Sequence, residues 1–185
     1  MLRRDLLLLL VAAAVPAGCS SATPTLYVLA PVPGVAQPGA PPTVELREIG
    51  LARYLDRSQI VRSSEAYRLD VLSNEWWGEP LAALLSRVLI QELTQRLPGT
   101  TVFAESGAIT ITAAATVAVN IQRMDADAAG AVVLIAQVEV RAKATATRDV
   151  RLTVTPTATG TAGLVQAESE ALAQLADTIA AALRS

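Results

Sequence analysis

The chain contains no histidine and a single cysteine, and these two scarcities restrict the chemistry available to it. Without histidine there is no Ser-His-Asp or Cys-His catalytic arrangement and no His-ligated metal site. Without a second cysteine there is no disulfide within the chain. No stretch matches the glycine-rich sequences that bind phosphate groups. We therefore predict a protein that is not an enzyme and that needs no metal or cofactor.

The remaining charged residues do not form a recognisable site either. Acidic residues are paired at Asp125 and Asp127 and at Glu168 and Glu170, and we interpret both pairs as solvated charges rather than acid–base machinery. The only lysine, Lys143, is predicted to lie on the outer face of a strand, which argues against a Ser–Lys dyad. No basic cluster is present, so nucleic acid is not expected as a partner.

The single cysteine, Cys19, follows a segment typical of exported proteins. Two arginines near the start precede an uncharged apolar run at residues 6–15, which is too short to span a bilayer. Ala17 and Gly18 supply the small residues that precede a cleavage site. With Cys19 next, the segment resembles the lipobox of bacterial lipoproteins, whose cysteine receives a diacylglyceryl group and becomes the new N-terminus. Residues 1–18 are thus predicted to be a lipoprotein signal peptide.

Lipidation of Cys19 predicts a membrane tether, since a lipobox cysteine carries at least two acyl chains and two lipid signals give stable anchoring. Ser20 follows the cysteine, as in lipoproteins that are sorted to the outer membrane. Residues 19–25 form a short tether, because the six residues after Cys19 reach roughly 20 Å when fully extended. We expect a single periplasmic domain over residues 26–185, held close to the outer membrane.

Several segments of this domain show the alternation of a β-strand. The clearest pattern covers residues 132–143, and residues 117–122 repeat it, with a turn-forming sequence at 125–130 between them. Shorter alternating or apolar runs occur at residues 26–30, 44–49, 67–71 and 150–154. The stretch from 117 to 154 therefore predicts an antiparallel meander. Residues 31–43 contain five prolines and predict a long surface loop inside the domain, or a linker.

Two segments have helical periodicity instead. Apolar residues recur at intervals of three and four over residues 81–97, before Pro98-Gly99, and a second stripe covers about 164–184. Within the first helix, Glu92 and Arg96 are expected to form an i,i+4 pair worth a few tenths of a kcal/mol. The predicted fold class is α+β, with an antiparallel or mixed sheet and two amphipathic helices packed on one face, in a single two-layer domain.

Two stretches fit neither pattern and mark a candidate partner-binding surface. Residues 52–63 mix apolar and charged residues and include Tyr54 and Arg57, while Trp76 and Trp77 immediately precede the first helix. Tryptophan and arginine are frequent at interface hot spots, so these four side chains are the predicted partner contacts. The alternative is that the tryptophans only pack the start of the helix onto the sheet.

The same stretches carry a family resemblance. Residues 54–61 read YLDRSQIV, Trp77-Gly-Glu-Pro-Leu81 opens the leucine-striped helix, and residues 168–183 form the closing helix. This order, with Leu26-Tyr-Val-Leu after the cysteine, resembles the ABC-type transport auxiliary lipoprotein family, of which the PqiC-like lipoprotein of the paraquat-inducible system is the best-known type. The resemblance implies an accessory subunit that docks the MCE-domain protein of an ABC transport system moving lipids between inner and outer membranes.

Two other functions remain open on the sequence alone. Alanines at positions 136, 142 and 144 could leave room for an acyl chain between sheet and helices, as in a periplasmic lipid-binding carrier. A structural envelope lipoprotein would bind neither lipid nor partner. The sequence is compatible with a homo-oligomer in each case.

Overall fold

Two sheets and two helices make up the part of the chain that the computed structural model describes, which is residues 23–65, 67–108 and 111–184. The smaller sheet has three strands, in the order β1 (Thr25–Tyr27), β5 (Arg68–Trp77) and β4 (Gln59–Glu65). The larger sheet follows the order β6 (Thr101–Ala104), β2 (Thr43–Leu46), β7 (Ala115–Ala126), β8 (Val132–Arg141) and β9 (Thr145–Val154). A two-residue strand, β3 (Gly50–Leu51), also pairs with β7, and the helices are α1 (Leu81–Arg96) and α2 (Gly160–Ala182).

The centre of the larger sheet is the antiparallel meander that the sequence predicts. β7 pairs with β8 and β8 with β9, and the valines of β7 and β8 that alternate with polar residues are buried, with Val119 opposite Val138. β2 pairs in parallel with β6 and β7, so the sheet is mixed. A register shift between Ile121 and Arg123 marks a bulge in β7, beyond which Asp125 and both its neighbours are buried. Bulges of this kind re-aim side chains, and here an acidic one enters the interior.

The two helices pack on one face of the larger sheet, as predicted. α2 lies against β7, β8 and β9, and α1 packs beside α2 and against β6. α1 starts directly after Pro80 and stops before Gly99, whose φ of 83° is a conformation that glycine adopts without strain. α2 starts earlier than the periodicity indicates, because residues 160–163 contain no large apolar side chain to extend the stripe. No helix in the described part of the chain is long and apolar enough to cross a membrane.

The proline-rich segment is an ordered part of the domain. Residues 28–42, which we call the strap, carry almost no regular secondary structure but are hydrogen-bonded to both helices. The Ala30 amide donates to Ser169 of α2 at 3.2 Å, and the Val32 amide donates to Glu92 of α1 at 3.0 Å. Further along, the Gln37 amide donates to the Arg96 carbonyl. The strap therefore runs along the seam between α1 and α2.

The smaller sheet differs from the larger one because much of its apolar surface is exposed. The alternation at residues 67–71 predicts a strand with one buried side, and β5 does form there. However, Leu69 and Val71 are each 44% exposed, and Tyr67, in the turn before β5, is fully exposed. The apolar side of this alternation therefore lies at the surface, near the tip of the β4–β5 hairpin.

Candidate partner-binding surface

The structure brings together the two stretches that contain the predicted partner contacts. Residues 52–58 form a turn between β3 and β4, and Leu55 anchors it in the core. The Trp77 amide donates to the Ser58 carbonyl at 2.7 Å, and Gln59 lies opposite Trp76 in the β4–β5 ladder. The turn and the end of β5 therefore form one continuous region, next to the start of α1.

Within this region, Arg57 and Trp76 reach the surface. The Arg57 side chain is exposed, and its Nε donates to the Tyr54 carbonyl at 2.8 Å. Trp76 is partly exposed, and its Nε1 donates to the Ser73 carbonyl at 2.9 Å. Both side chains are held by local hydrogen bonds, so the binding of a partner over them costs little additional conformational entropy.

A cross-strand row extends the exposed surface around Trp76. Leu26 of β1 and Gln59 of β4 both lie opposite Trp76, one on each side. Leu26 is 62% exposed and was not among the predicted contacts. We call Leu26, Gln59 and Trp76 the tryptophan row. Sequence reasoning missed Leu26 because an apolar residue in a short strand reads as core unless the pairing partner is known.

Tyr54 and Trp77 support this surface from the inside. Trp77 is only 7% exposed and belongs to the hydrophobic core, as the packing alternative for the tryptophans describes. The Tyr54 hydroxyl donates to Asp125 Oδ2 at 2.6 Å. Burial raises the pKa of Tyr54, and the hydrogen bond to Asp125 raises it further, so the side chain stays neutral. These two residues position the turn and the strand end that carry Arg57 and Trp76.

A shallow cleft of about 360 Å³ adjoins the surface. It lies between the turn and the start of α1, and its walls include Asp56, Arg57, Trp77 and Pro80. Glu79 also lines it and is bound to Arg87, with 2.6 Å between Oε1 and Nη2. The cleft combines charges of both signs with one aromatic edge, an arrangement suited to a protein surface rather than to a reactive small molecule.

The Asp125 carboxylate is the hub that holds the turn in place. Its Oδ2 accepts from Tyr54, while its Oδ1 accepts from Ser63 Oγ at 2.9 Å and from Arg123 Nη2 at 2.9 Å. We call these four residues the Asp125 centre. The interpretation of Asp125 as a solvated charge is wrong, since the residue is 1% exposed. The bulge in β7 is the physical reason, and no sequence pattern reports it. With both oxygens occupied, the carboxylate acts as a structural anchor.

Glu168 of α2 is also buried, contrary to the prediction that it is solvated. It is 1% exposed, and its Oε2 has no hydrogen-bond partner among the described residues. Burial raises the pKa of Glu168 well above its usual value, and the negative charge of Asp125 raises it further. Burial therefore favours the neutral form of the Glu168 carboxyl. Asp127 and Glu170, the other members of the predicted pairs, are partly exposed.

A second buried polar group joins the helices and the strap. The Arg96 Nε donates to Asp177 Oδ1 at 2.6 Å, and its Nη2 donates to the Ala173 carbonyl at 3.2 Å. Its Nη1 lies 3.3 Å from the carbonyls of Val32 and Glu92. We call Arg96 and these partners the Arg96 centre. The i,i+4 ion pair expected on the helix surface is thus wrong in both location and partner, because Arg96 is 1% exposed and pairs with the other helix.

Glu92 belongs to the Arg96 centre and is fully buried. Its Oε1 accepts from the Val32 amide, and its Oε2 has no hydrogen-bond partner among the described residues. Burial raises the pKa of Glu92 to about 7, although the Val32 amide and the positive charge of Arg96 act in the opposite direction. The strap is therefore fixed to a carboxyl that titrates near neutral pH.

Some predictions fall on other parts of the chain. Cys19 and residues 1–18, the predicted signal peptide, lie outside the described residues. Lys143 is exposed, but in the bend between β8 and β9 rather than within a strand. In the ranges that the structure covers, no group of three or more acidic or cysteine side chains is placed to hold a metal ion.

Comparisons with known proteins agree with this architecture. The family model of the ABC-type transport auxiliary lipoprotein component matches residues 27–180. No curated protein is significantly similar to the chain. Among solved structures, the crystal structure of an uncharacterized protein matches with a TM-score of 0.73 and 19% identity, over 87% of this chain and 99% of that one. Protein XCC0632 from Xanthomonas campestris, of family DUF330, matches with a TM-score of 0.66 and 19% identity, over 84% and 92%.

The structural matches, at this identity, establish the fold, while the family match establishes the membership. The matched range contains the turn, the tryptophan row apart from Leu26, both polar centres and nearly all of α2. The family is described as a transport auxiliary component and is not an enzyme family. The chain belongs to the ABC-type transport auxiliary lipoprotein family.

Proposed function

We propose that this protein is an outer-membrane-anchored accessory subunit of an MCE-type ABC transport system that moves lipids between the inner and outer membranes. The observation that carries the proposal is the family match over residues 27–180, preceded by a lipobox-like sequence that ends at Cys19. An auxiliary lipoprotein contributes to transport by binding a partner. The partner that the resemblance implies is the MCE-domain protein.

The short tether favours a lipoprotein on which a partner docks over a lipoprotein that carries cargo across the periplasm. Thr25, where β1 starts, is the sixth residue after Cys19, and this stretch can span roughly 20 Å at most. A domain held this close to its bilayer cannot carry cargo across the periplasm. The transport component must therefore reach the lipoprotein.

We assign the docking contact to Arg57 and to the tryptophan row. These side chains combine an aromatic residue, an exposed apolar residue and an arginine at one site, which is the composition of an interface hot spot. Tyr54 and Trp77 contribute by holding Arg57 and Trp76 in position. In this proposal, the packing role of Trp77 and the contact role of Trp76 coexist.

The experiment that tests the proposal is a mild-detergent pull-down of the tagged, lipidated protein from its native envelope, with mass spectrometry of the associated proteins. We expect an MCE-domain protein to be recovered with the bait. Recovery of no such protein, under conditions that keep other envelope complexes intact, would rule out stable docking.

Paired substitutions locate the contact. We expect Arg57→Ala combined with Trp76→Ala to lower recovery of the MCE-domain protein at least tenfold, because hot-spot truncations cost about 2 kcal/mol or more. The matched control is Arg148→Ala combined with Val35→Ala, which removes an exposed arginine and an exposed apolar residue elsewhere. Equal losses in both variants would show that the assigned surface is wrong.

A lipid-binding carrier is the second candidate, and one observation favours it. Ala142 and Ala144 line an open cleft of about 460 Å³ between the β8–β9 bend, the strap and the end of α2, with Val140 and Leu183 also in its wall. Ala136, by contrast, is fully buried in the core. Native mass spectrometry of the purified protein tests this candidate. A carrier retains lipid and loses it on Ala144→Trp but not on Ala128→Trp, whereas a docking subunit carries none.

A further inference from the structure

The tip of the β4–β5 hairpin is the most exposed apolar feature of the smaller sheet. Tyr67 is fully exposed and Leu69 and Val71 are each 44% exposed, although β5 is a paired strand in the middle of its sheet. Three large apolar side chains within five residues form a patch that water solvates poorly. We therefore expect another surface to cover this patch.

The direction of β1 shows which end of the domain faces the lipid anchor. β1 runs parallel to β5, with Thr25 opposite Glu75 and Leu26 opposite Trp76. The start of β1 is consequently directed toward the start of β5, and the β4–β5 turn lies beyond that start. The chain that precedes Thr25 enters the domain from the side on which Tyr67 and Leu69 lie.

The lengths of the two segments match. Cys19 is six residues before Thr25, and Leu69 is six residues before Glu75. At about 3.3 Å per residue, six residues reach roughly 20 Å when fully extended, which is the length that the same number of residues covers in β5. A lipid attached to Cys19 can thus lie level with the hairpin tip. The bilayer that holds the lipid is the surface within reach of Tyr67.

We propose that the β4–β5 hairpin tip, through Tyr67, Leu69 and Val71, inserts into the interface of the bilayer that holds the Cys19 acyl chains. The proposal rests on the lipid anchoring included in the proposed function. Tyrosine favours this position because its ring is apolar and its hydroxyl remains at the polar headgroups. Together, the lipid and the hairpin fix the orientation of the domain, which places the tryptophan row farther from the bilayer than the tip.

The charges around the tip indicate an apolar contact rather than an electrostatic one. Arg68 pairs with Glu65 and with Asp70, and Arg62 also pairs with Asp70. These two basic and two acidic side chains neutralise one another. Insertion should therefore not require anionic lipid, in contrast to polybasic membrane-binding segments.

The test labels an introduced cysteine, which is possible because Cys19 is the only native one. Because the Cys19 sulfur is occupied by lipid in the mature protein, one cysteine introduced by Tyr67→Cys, Leu69→Cys or Val35→Cys is the only thiol that a fluorophore can label. Each full-length lipidated variant is reconstituted into vesicles of phosphatidylethanolamine and phosphatidylglycerol, labelled with an environment-sensitive dye and exposed to lipids that carry a quencher. Val35 is the control, since it is 80% exposed on the strap.

We expect blue-shifted emission and strong lipid quenching at positions 67 and 69 and neither effect at position 35. Replacing phosphatidylglycerol by phosphatidylcholine should leave the quenching unchanged. Water-like emission at positions 67 and 69 would overturn the insertion, as would a blue shift without lipid quenching, which would indicate a protein partner or a second copy.

The intact mass of the same samples distinguishes a failure of the hairpin insertion from a failure of the lipid anchoring. If the lipid is present but the tip is unquenched, only the insertion fails; if the lipid is absent, anchoring at Cys19 fails and the insertion with it.

Discussion

The Asp125 centre and the Arg96 centre each have a buried glutamate beside a buried charged group, which is negative in the first centre and positive in the second. Each has a buried charged group saturated by hydrogen bonds, and each has a buried glutamate nearby with one oxygen unbonded among the described residues. Glu168 is near the negative Asp125, which adds to the effect of burial on its pKa. Burial also raises the pKa of Glu92, but the Val32 amide and the positive charge of Arg96 both oppose it, and the pKa is about 7. The charged neighbour thus adds to the effect of burial in one centre and opposes it in the other.

The largest expected effect comes from removing the hub of the first centre. Asp125→Ala leaves Arg123, Tyr54 and Ser63 without their acceptor, and breaking a buried ion pair from one side costs about 3–5 kcal/mol. Urea unfolding at pH 7 measures the loss. The control is Asp127→Ala in the adjacent turn, where the carboxylate is partly exposed and the expected loss is about 1 kcal/mol. Similar losses in both variants would contradict the role of Asp125 as a hub.

Arg96→Met tests the second centre and should cost about 3 kcal/mol, somewhat less than Asp125→Ala. The substitution keeps the aliphatic volume but leaves the Ala173 and Val32 carbonyls unbonded, while Asp177 is half exposed and can be solvated by water. Amide exchange should also accelerate at Val32, because the strap loses its partner. Arg87→Met is the control, and its exposed ion pair with Glu79 should contribute less than about 1 kcal/mol. Unchanged exchange at Val32 would show that Arg96 does not hold the strap.

The order and type of most elements were predictable from the sequence because their periodicity is local. The meander, α1 and most of α2 bury one face each, and that face is visible as period two or period 3.6. The parallel strands β1, β2, β3 and β6 could be recognised at most as extended segments. Their pairing depends on contacts between residues far apart in sequence, which no local pattern encodes.

The candidate site was predictable only in part, because burial of a polar residue depends on what folds over it. Arg57 is exposed and Trp76 is partly exposed, whereas Tyr54 turns inward to reach Asp125, a residue 71 positions away. Asp125 and Glu168 were predicted to be solvated charges, and Glu92 was predicted to pair with Arg96 along the helix, because sequence alone does not report burial. Only the bulge in β7 and the close packing of α1, α2 and the strap reveal that they are interior.

A smaller effect is expected from Tyr54→Phe, which deletes one hydrogen bond of the Asp125 centre. The hydroxyl donates to a charged acceptor, and such bonds contribute about 1.5–3 kcal/mol. We expect a loss of about 2 kcal/mol in urea unfolding, with a weaker pull-down of the MCE-domain protein because the turn carrying Arg57 loosens. Tyr67→Phe is the matched control, since Tyr67 is fully exposed and its substitution should change stability by less than about 0.5 kcal/mol. Equal effects would indicate that Tyr54 does not position the turn.

The smallest expected effect is the pH dependence carried by Glu92. The folded-state pKa of about 7 exceeds the ordinary value of 4.5, so between these pH values the folded protein holds a proton that the unfolded chain releases. Stability must therefore fall as pH rises through this window, and the loss is complete above pH 7. Glu92→Gln removes the titration. It should raise the free energy of unfolding at pH 8 by about 1–2 kcal/mol relative to the wild type, because the cost of ionising a buried carboxyl exceeds the lost attraction to Arg96.

Glu168→Gln provides a second test of how burial affects the pKa of a glutamate. Burial and the negative charge of Asp125 both raise the pKa of Glu168, so stability should also fall as this carboxyl ionises, and Glu168→Gln should remove that fall. The exposed Glu48→Gln serves as a control that should leave the pH profile of the wild type unchanged. If neither Glu92→Gln nor Glu168→Gln altered the pH profile, burial would not raise the pKa values of these two carboxyls.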